Sequence, residues 1–278
     1  MLKTILVHVD ETARSLQRIE VAARLATQYD AHLVGAAMTG IAAYLFPVGG
    51  LESGMPAIAF PIDELRSQAN RALDVFDAAA DKAGVNSVER RLVDEEVGLG
   101  LSLQARYSDL VVISQNAPDD VLPRVRSDVP EYVLLNCARP VLILPFAGVS
   151  GEIGRCVTVA WNGSAEAVRA ITSAIPVLQR AEKVDLVVFD AVIGGQVHGD
   201  DPGADMALYL ARYGIRVEVT VVRMAGEDGE SLLSFAVDKG ADLIVMGAFG
   251  HSRFREFLLG GMSRTALSSS PVALWMAH

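Results

Sequence analysis

The chain has 278 residues, of which 51% are hydrophobic and 21% charged, enough apolar material for one large core or two smaller ones. Its 34 acidic and 24 basic residues give a net charge of −10, which argues against nucleic acid and anionic membranes as partners. Cys137 and Cys156 stand far apart in apolar surroundings, so we expect reduced thiols and no metal site. The chain starts without a signal-peptide pattern, which adds to the expectation of a cytoplasmic protein.

Short apolar runs alternate with helix-forming segments along the first half. Residues 4–10 are strand-like, residues 14–29 have a helical pattern, and residues 31–38 are predicted to form a buried strand. Residues 33–51 carry no charge, but glycine and proline interrupt this stretch, which argues against a membrane span. A long apolar loop lies at 40–61. It is either a lid or contact surface, or an ordinary packed loop. A second helical pattern follows at 64–83.

The second half repeats the first. The matching pairs of segments are 4–10 with 156–162, 109–114 with 242–247, and 139–144 with 270–275. Strands separated by helices pair in parallel, and continuous apolar runs suit strands that are covered on both faces, so we predict an open, doubly wound α/β sheet. A glycine-rich linker at 147–154 divides the chain into predicted domains at 1–147 and 153–278.

A glycine-rich segment near the end of the chain carries most of the functional information. In an open α/β sheet, ligands bind beyond the carboxyl ends of strands, where the strand order reverses. This rule brings Asn162, after the first strand of the second half, to the same crevice as Gly247 and Gly250, after the fourth. Gly260 and Gly261 precede the final helix. Glycine backbone and a helix N-terminus together suit a phosphate group, so a nucleotide is the first ligand to consider.

These glycines have the spacing Gly-x2-Gly-x9-Gly-Gly, which resembles the ATP-binding pattern of universal stress proteins. The tandem repeat, the Asp-Leu start of each fourth strand and the terminal Pro-Val strands extend the resemblance over the whole chain. It implies two tandem flavodoxin-like domains, each a five-stranded, mainly parallel sheet flanked by helices. It further implies that strands near 141–145 and 272–276 pair antiparallel, so that the halves form an internal pseudo-dimer.

The resemblance also implies which residues contact each part of the ligand. These parts are the adenosine end, the ribose and α-phosphate, and the β- and γ-phosphates. The implied binding set is Asn162, Gly247, Gly250, His251, Gly260, Gly261 and Ser263. The chain departs from the family at two of these positions. Asn162 stands where Asp is usual, and Gly261 stands where Ser or Thr is common.

The first half has lost the glycine pattern. Residues 114–117, Ser-Gln-Asn-Ala, stand in place of residues 247–250, and Val129-Pro130 stand in place of Gly260-Gly261. Proline has no N–H group to offer an anion, so we expect a half that does not hold ATP and keeps Asp10 as its signature acid. His8 and Asp10 share one face of a strand, and we expect a packed core histidine here, not a metal or acid–base site.

The main hypothesis is a cytoplasmic tandem universal stress protein that binds ATP or a related adenine nucleotide, with or without Mg²⁺, as a stress-response nucleotide sensor. The sequence has no P-loop and no nucleophile–base arrangement, so we expect no catalytic residues and at most slow ATP hydrolysis. The alternative, favoured by Asn162 and Gly261, is a scaffold that acts through protein–protein contacts. A weaker third hypothesis is an enzyme that hydrolyses nucleotides or forms adenylates. The expected partners are an adenine nucleotide, a second copy of the chain in a homodimer, and an unidentified protein.

Overall fold

A computed structural model describes residues 1–40, 62–116, 128–149, 151–189, 200–223, 228–250 and 261–278. The predicted site residues His251 and Gly260, and almost all of the apolar stretch at 40–61, lie outside the described residues. None of the helices in the described part of the chain is both long enough and apolar enough to cross a membrane.

The strands and helices alternate, which confirms the α/β prediction. The strands are β1 (Thr4–Val9), β2 (His32–Met38), β3 (Val88–Val93), β4 (Leu110–Ser114), β5 (Val141–Leu144), β6 (Cys156–Ala160), β7 (Lys183–Phe189), β8 (Glu218–Val222), β9 (Leu243–Gly247) and β10 (Ala273–Ala277). The helices are α1 (Ser15–Tyr29), α2 (Ile62–Lys82), α3 (Val97–Gln104), α4 (Val129–Asn136), α5 (Ala165–Leu178), α6 (Ala204–Ala211), α7 (Asp228–Asp238) and α8 (Met262–Ser269), with a short 3-10 helix at Ala105–Tyr107.

The chain forms two compact units. The N-terminal unit comprises Leu2–Val112 and Pro118–Cys137. Its strands follow the order β3-β2-β1-β4, and β1 is parallel to both of its neighbours. The continuous apolar run of β4, residues 110–113, is buried, as expected for a strand covered on both faces. Gly35 in β2 leaves room for Phe76 of α2, whose ring would lie 2.7 Å from a Cβ atom at that glycine.

The C-terminal unit comprises Ile113–Ala117 and Ala138–His278, together with Met1. Its strands follow the order β5-β10-β9-β6-β7-β8. All neighbours in this order pair in parallel except β5 and β10, which pair antiparallel as predicted. The compact units therefore differ from the two repeats of the sequence, because β5 ends the first repeat but forms its antiparallel hydrogen bonds with the last strand of the second.

The two repeats anchor their first strands in the same way. The carboxylate of Asp109 accepts hydrogen bonds from the N–H groups of Lys3 and Thr4 at 2.7 and 3.0 Å. The carboxylate of Asp242 accepts them from the N–H groups of residues 154–156 at 2.6, 3.1 and 2.9 Å. This shared contact gives a structural reason for the Asp-Leu start of each fourth strand.

Candidate functional site

The candidate site lies at the carboxyl edge of the sheet in the C-terminal unit, where β6 and β9 run side by side. These strands pair in parallel with Val159 opposite Val245. The second strand of this repeat, β7, lies on the other side of β6, and β10 lies beyond β9, so the strand order reverses between β6 and β9. The segments that follow these two strands emerge at the same edge, as the sequence predicted.

The turn after β6 leads directly into α5. Asn162 is exposed, and its Oδ1 accepts a hydrogen bond from the N–H group of Ser164 at 3.1 Å. Gly163 has a φ of +73°, which favours glycine. The Oγ of Ser164 accepts a hydrogen bond from the N–H group of Ala167 at 3.1 Å and caps the helix. The oxygen of Asn162 is therefore already engaged in its own turn, and the N-terminus of α5 already has an internal cap.

Gly247, the last residue of β9, lies directly on the first turn of α5. A Cβ atom at this position would lie 2.5 Å from the backbone nitrogen of Ala167 and 2.7 Å from the carbonyl carbon of Glu166. Real Cβ atoms essentially never approach a neighbour this closely. In the described structure, Gly247 therefore permits close packing of the strand on the helix, and this contact brings the two loops of the site together.

The segment after Gly247 is fixed by hydrogen bonds to the end of the chain and to α8. The N–H group of Ala248 donates to the carbonyl of Ala277 at 2.8 Å, and Nδ1 of His278 donates to the carbonyl of Ala248 at 2.9 Å. Phe249 has a φ of +54°, an uncommon conformation for a residue other than glycine. Its N–H group donates to Oγ of Ser263 at 3.0 Å, and its ring meets that of His278 edge-on at 6.4 Å.

The start of α8 offers open hydrogen-bond donors. Gly261 is the N-cap residue and provides no capping side chain. The first N–H bond of the helix runs from Arg264 to the carbonyl of Gly261 at 2.9 Å. The preceding N–H groups, of Met262 and Ser263, have no acceptor in the part of the chain that the structure describes. Open N–H groups at a helix N-terminus are the arrangement that binds anions.

Ser263 itself is buried, with 2% of its surface exposed. Because its Oγ accepts the hydrogen bond from Phe249, the hydroxyl ties the loop after β9 to α8. A contact with a phosphate would have to use the hydroxyl hydrogen or the N–H group of Ser263. Gly261 and Ser263 thus lie together at the start of α8, next to the loop that contains Phe249.

The sequence analysis did not single out Glu166, the second residue of α5. The side chain is 18% exposed, and its Oε1 accepts a hydrogen bond from Nη2 of Arg169 at 3.0 Å. Its Oε2 lies 3.0 Å from the position of a Cβ atom at Gly250. No pattern in the sequence indicated this contact, which depends on the packing of β9 against α5.

Gln115 is the counterpart of Ala248 in the first repeat. The glycines around this position are lost, but nothing else in the sequence predicted a structural role for Gln115. Its side chain is 7% exposed and forms three hydrogen bonds. Nε2 donates to the carbonyls of Ala266 and Ser270, at 3.3 and 3.2 Å, at the end of α8. Oε1 accepts a hydrogen bond from the N–H group of Phe146 at 2.7 Å. The helix that begins at Gly261 is thus held at its other end by a residue of the first repeat.

At the corresponding edge of the N-terminal unit, the described side chains interact with one another. Arg18 is 3% exposed and lies 3.0 Å from Oδ2 of Asp10, and its Nε donates to the carbonyl of His8 at 2.5 Å. Oδ1 of Asp10 accepts hydrogen bonds from the N–H and hydroxyl groups of Thr12 at 3.0 and 2.5 Å. Asp10 therefore interacts with residues of its own unit.

Burial and the charge of Arg18 both shift the pKa values of His8 and Asp10. Burial, and after it the charge of Arg18, lowers the pKa of His8 from 6.5 to about 4, against the opposing effect of Asp10. Burial alone would raise the pKa of Asp10, but Arg18, His8 and Thr12 together hold this pKa well below its usual range. Within the described ranges, no group of three or more His, Cys, Asp or Glu side chains is placed to hold a metal ion.

Comparison with solved structures shows the fold. Over 99% of its length, the chain resembles a universal stress protein from Archaeoglobus fulgidus DSM 4304, at 18% identity, 97% coverage of that chain and a TM-score of 0.72. It resembles a protein from Pseudomonas aeruginosa PAO1 at 15% identity, with 99% of this chain and 92% of that chain covered and a TM-score of 0.57. A universal stress protein solved in complex with cAMP covers 52% of this chain, and 97% of its own length is matched, at 23% identity and a TM-score of 0.36.

The sequence comparison matches the second half of the chain to a protein family. No curated protein sequence matches the chain. The model of the Universal stress protein family matches residues 155–278, the segment that carries both loops of the candidate site. This segment is therefore similar to members of the universal stress protein family.

Proposed function

We propose that the C-terminal unit binds ATP, or a related adenine nucleotide, at the edge where β6 and β9 end. The observation that carries this proposal is the start of α8, where the open N–H groups of Met262 and Ser263 lie beside a loop tied to the helix by Phe249. In this arrangement the phosphates lie over the start of α8, where backbone donors and the helix dipole favour negative charge. Adenine follows from the family resemblance of the glycine spacing.

Two members of the predicted binding set, His251 and Gly260, lie outside the described residues and stay predictions. Gly247 supports the site indirectly, through its packing on α5. The roles of Asn162, Gly250, Gly261 and Ser263 toward a nucleotide are part of the proposal. The same holds for Mg²⁺, a cytoplasmic location and a homodimer.

Binding without efficient turnover suits this edge of the sheet. Phosphoryl transfer needs a positioned nucleophile and usually a metal held by carboxylates. Glu166 is the carboxylate that faces the glycine loop in the described part of the C-terminal unit, and one of its oxygens is paired with Arg169. We propose that nucleotide occupancy stabilises the loop after β9 and the start of α8, and so acts as a signal of the stress response.

One observation favours the alternative, a scaffold that does not bind nucleotides. The side-chain oxygen of Asn162 is engaged by Ser164 in the same turn, and position 162 carries no charge. A scaffold would act through protein–protein contacts and would show no response to ATP.

Calorimetric titration with ATP, on protein freed of any bound ligand, distinguishes these functions. Gly250→Asp is the disruptive variant, because a side chain at this position would meet Oε2 of Glu166 and Oγ of Ser164 at 3.0 and 3.2 Å. Asn70→Asp is the matched control, because it adds the same charge on an exposed face of the N-terminal unit. We expect saturable heat from the wild type and Asn70→Asp, and none from Gly250→Asp.

Absence of heat from the wild-type protein would reject nucleotide binding and favour the scaffold. A phosphate-release assay on the same variants tests the enzymatic hypothesis. Release above background that disappears in Gly250→Asp would contradict the proposal of binding without efficient catalysis.

A further inference from the structure

We infer that Glu166 recognises the ribose of the nucleotide, so that the site selects ribonucleotides over deoxyribonucleotides. This inference rests on the proposed function and names the part of the ligand that a specific side chain contacts. It concerns a residue outside the glycine pattern.

The geometry places one carboxylate oxygen of Glu166 at the loop. Oε1 is paired with Arg169 at 3.0 Å, whereas Oε2 lies 3.0 Å from the Cβ position of Gly250. Among the described residues, no hydrogen-bond donor reaches Oε2. The Glu166 side chain is 18% exposed and its partner Arg169 is 51% exposed, so the carboxylate is the more enclosed member of the pair. A partly exposed carboxylate oxygen without a donor from the described residues can accept a hydrogen bond from a ligand.

The charge of Glu166 determines which part of a nucleotide can lie there. A carboxylate repels phosphate groups, so the phosphates are better placed at the start of α8 than at the start of α5. The two helix ends also differ in their donors. The N-terminus of α5 is capped by Ser164, whereas the N–H groups at the start of α8 are open. In a nucleotide bound across this edge, the phosphates therefore lie at the start of α8 and a hydrogen-bond donor lies at Glu166.

The donors of an adenine nucleotide are the ribose hydroxyls and the amino group of the base. The ribose is bonded directly to the α-phosphate, so its hydroxyls are the donors nearest to the phosphate end. Glu166 lies close to this end, because its Oε2 is 3.0 Å from the Cβ position of Gly250. The preceding residue, Phe249, is hydrogen-bonded to Ser263 of α8. A carboxylate that accepts a hydrogen bond from a ribose hydroxyl is also the arrangement found in dinucleotide-binding folds.

Asn162 is less suited to this role. Its Oδ1 accepts the hydrogen bond from Ser164, and an amide oxygen is a weaker acceptor than a carboxylate. Glu166 therefore supplies, in the first turn of α5, the carboxylate that position 162 lacks.

The test compares the dissociation constants of ATP, 2′-deoxy-ATP and 3′-deoxy-ATP, measured by calorimetry with and without Mg²⁺. We expect the wild type to bind ATP about tenfold more tightly than at least one deoxy analogue, as for one hydrogen bond to a charged group. In Glu166→Ala this preference should disappear, because ATP binding weakens while binding of the discriminated analogue does not. Glu166→Gln keeps the shape of the side chain and should retain only part of the preference.

Glu182→Gln is the matched control, because this exposed carboxylate pairs with Arg155 at the opposite edge of the same sheet. It should leave the preference unchanged. Equal binding of ATP and both analogues by the wild type would overturn the inference and leave the proposed function intact. A loss in Glu166→Ala that is equal for all three nucleotides would also overturn it, and a dependence of that loss on Mg²⁺ would indicate a cation contact instead. Absence of any binding by the wild type would reject the proposed function, and the inference with it.

Discussion

The loops that follow β4 and β9 begin alike and then diverge. The first residue after each strand donates its N–H group to the end of a terminal strand, Gln115 to Leu144 and Ala248 to Ala277, both at 2.8 Å. Beyond this shared bond, Ala248 has only a methyl group, whereas the side chain of Gln115 forms three further hydrogen bonds. The loop after β4, which has no glycines, thus has a structural role, because Gln115 holds the C-terminal part of α8. The N-terminal end of the same helix is the proposed phosphate site.

The largest expected effect tests the packing of the second loop. Gly247→Ala forces a Cβ atom to within 2.5 Å of the backbone nitrogen of Ala167, which cannot move aside as a flexible side chain could. We expect a loss of about 3 kcal/mol in the free energy of unfolding, measured in urea. Its counterpart Ser114 already carries a Cβ atom, so Ser114→Ala should have a smaller effect. A Gly247→Ala protein as stable as the wild type would contradict this account of the strand–helix contact.

The next effect tests the first loop. Gln115→Ala removes three buried hydrogen bonds, one from the N–H group of Phe146 and two to the end of α8, and we expect a loss of about 2–3 kcal/mol in the free energy of unfolding. Hydrogen exchange should show the loss of protection at α8. Gln179→Ala removes an exposed hydrogen bond to the carbonyl of Tyr213 and serves as control. Unchanged exchange at α8 in Gln115→Ala would contradict the proposed tie.

A third prediction is that the stability of the N-terminal unit, but not that of the C-terminal unit, depends on the protonation of His8. Because the pKa of His8 is about 4 in the folded protein and 6.5 in its ordinary state, the unfolded chain binds the proton more readily. Stability is therefore complete above pH 6.5 and falls as the pH decreases toward 4, by about 2 kcal/mol between pH 7 and pH 5. Because the pKa of Asp10 is lowered in the folded protein, the contribution of Asp10 to stability is lost only below this pH range.

Position 160, the counterpart of His8, is alanine, so this effect belongs to the N-terminal unit. Hydrogen exchange in β1 should therefore become faster between pH 7 and pH 5, after correction for the intrinsic rate, and His8→Gln should remove this change. The two tryptophans, Trp161 and Trp275, both lie in the C-terminal unit, so their fluorescence provides an internal control. The same pH dependence in His8→Gln would contradict the assignment.

The smallest effect tests the two turns that follow β1 and β6. Oδ1 of Asp10 accepts the N–H group of Thr12 at 3.0 Å, and Oδ1 of Asn162 accepts that of Ser164 at 3.1 Å. Asn162→Asp therefore keeps the turn and adds a charge near the start of α5, where we expect a gain of about 0.5 kcal/mol in unfolding experiments. A marked loss of stability would show that the amide hydrogens of Asn162 have a role that the described contacts do not include.

The sequence predicted those features that depend on local pattern or on the repeat. The alternation of strands and helices, the buried apolar runs in β4 and β9 and the antiparallel pairing of the terminal strands are confirmed. The contacts of Gln115 and Glu166 could not be predicted, because each joins segments that only the folded sheet brings together. Gly247 appeared in the sequence as part of a phosphate loop, but its packing on α5 becomes visible only when the helix is in place.

The pairing of β5 with β10 has a consequence for any attempt to divide the chain. A fragment that starts at residue 153 would lack β5 and would expose the backbone donors and acceptors along one side of β10. Exposed strand edges pair readily with other strands, so we expect such a fragment to self-associate through β10. Cleavage between residues 147 and 153, in contrast, would leave β5 hydrogen-bonded to β10, and the nicked protein should stay in one piece under native conditions.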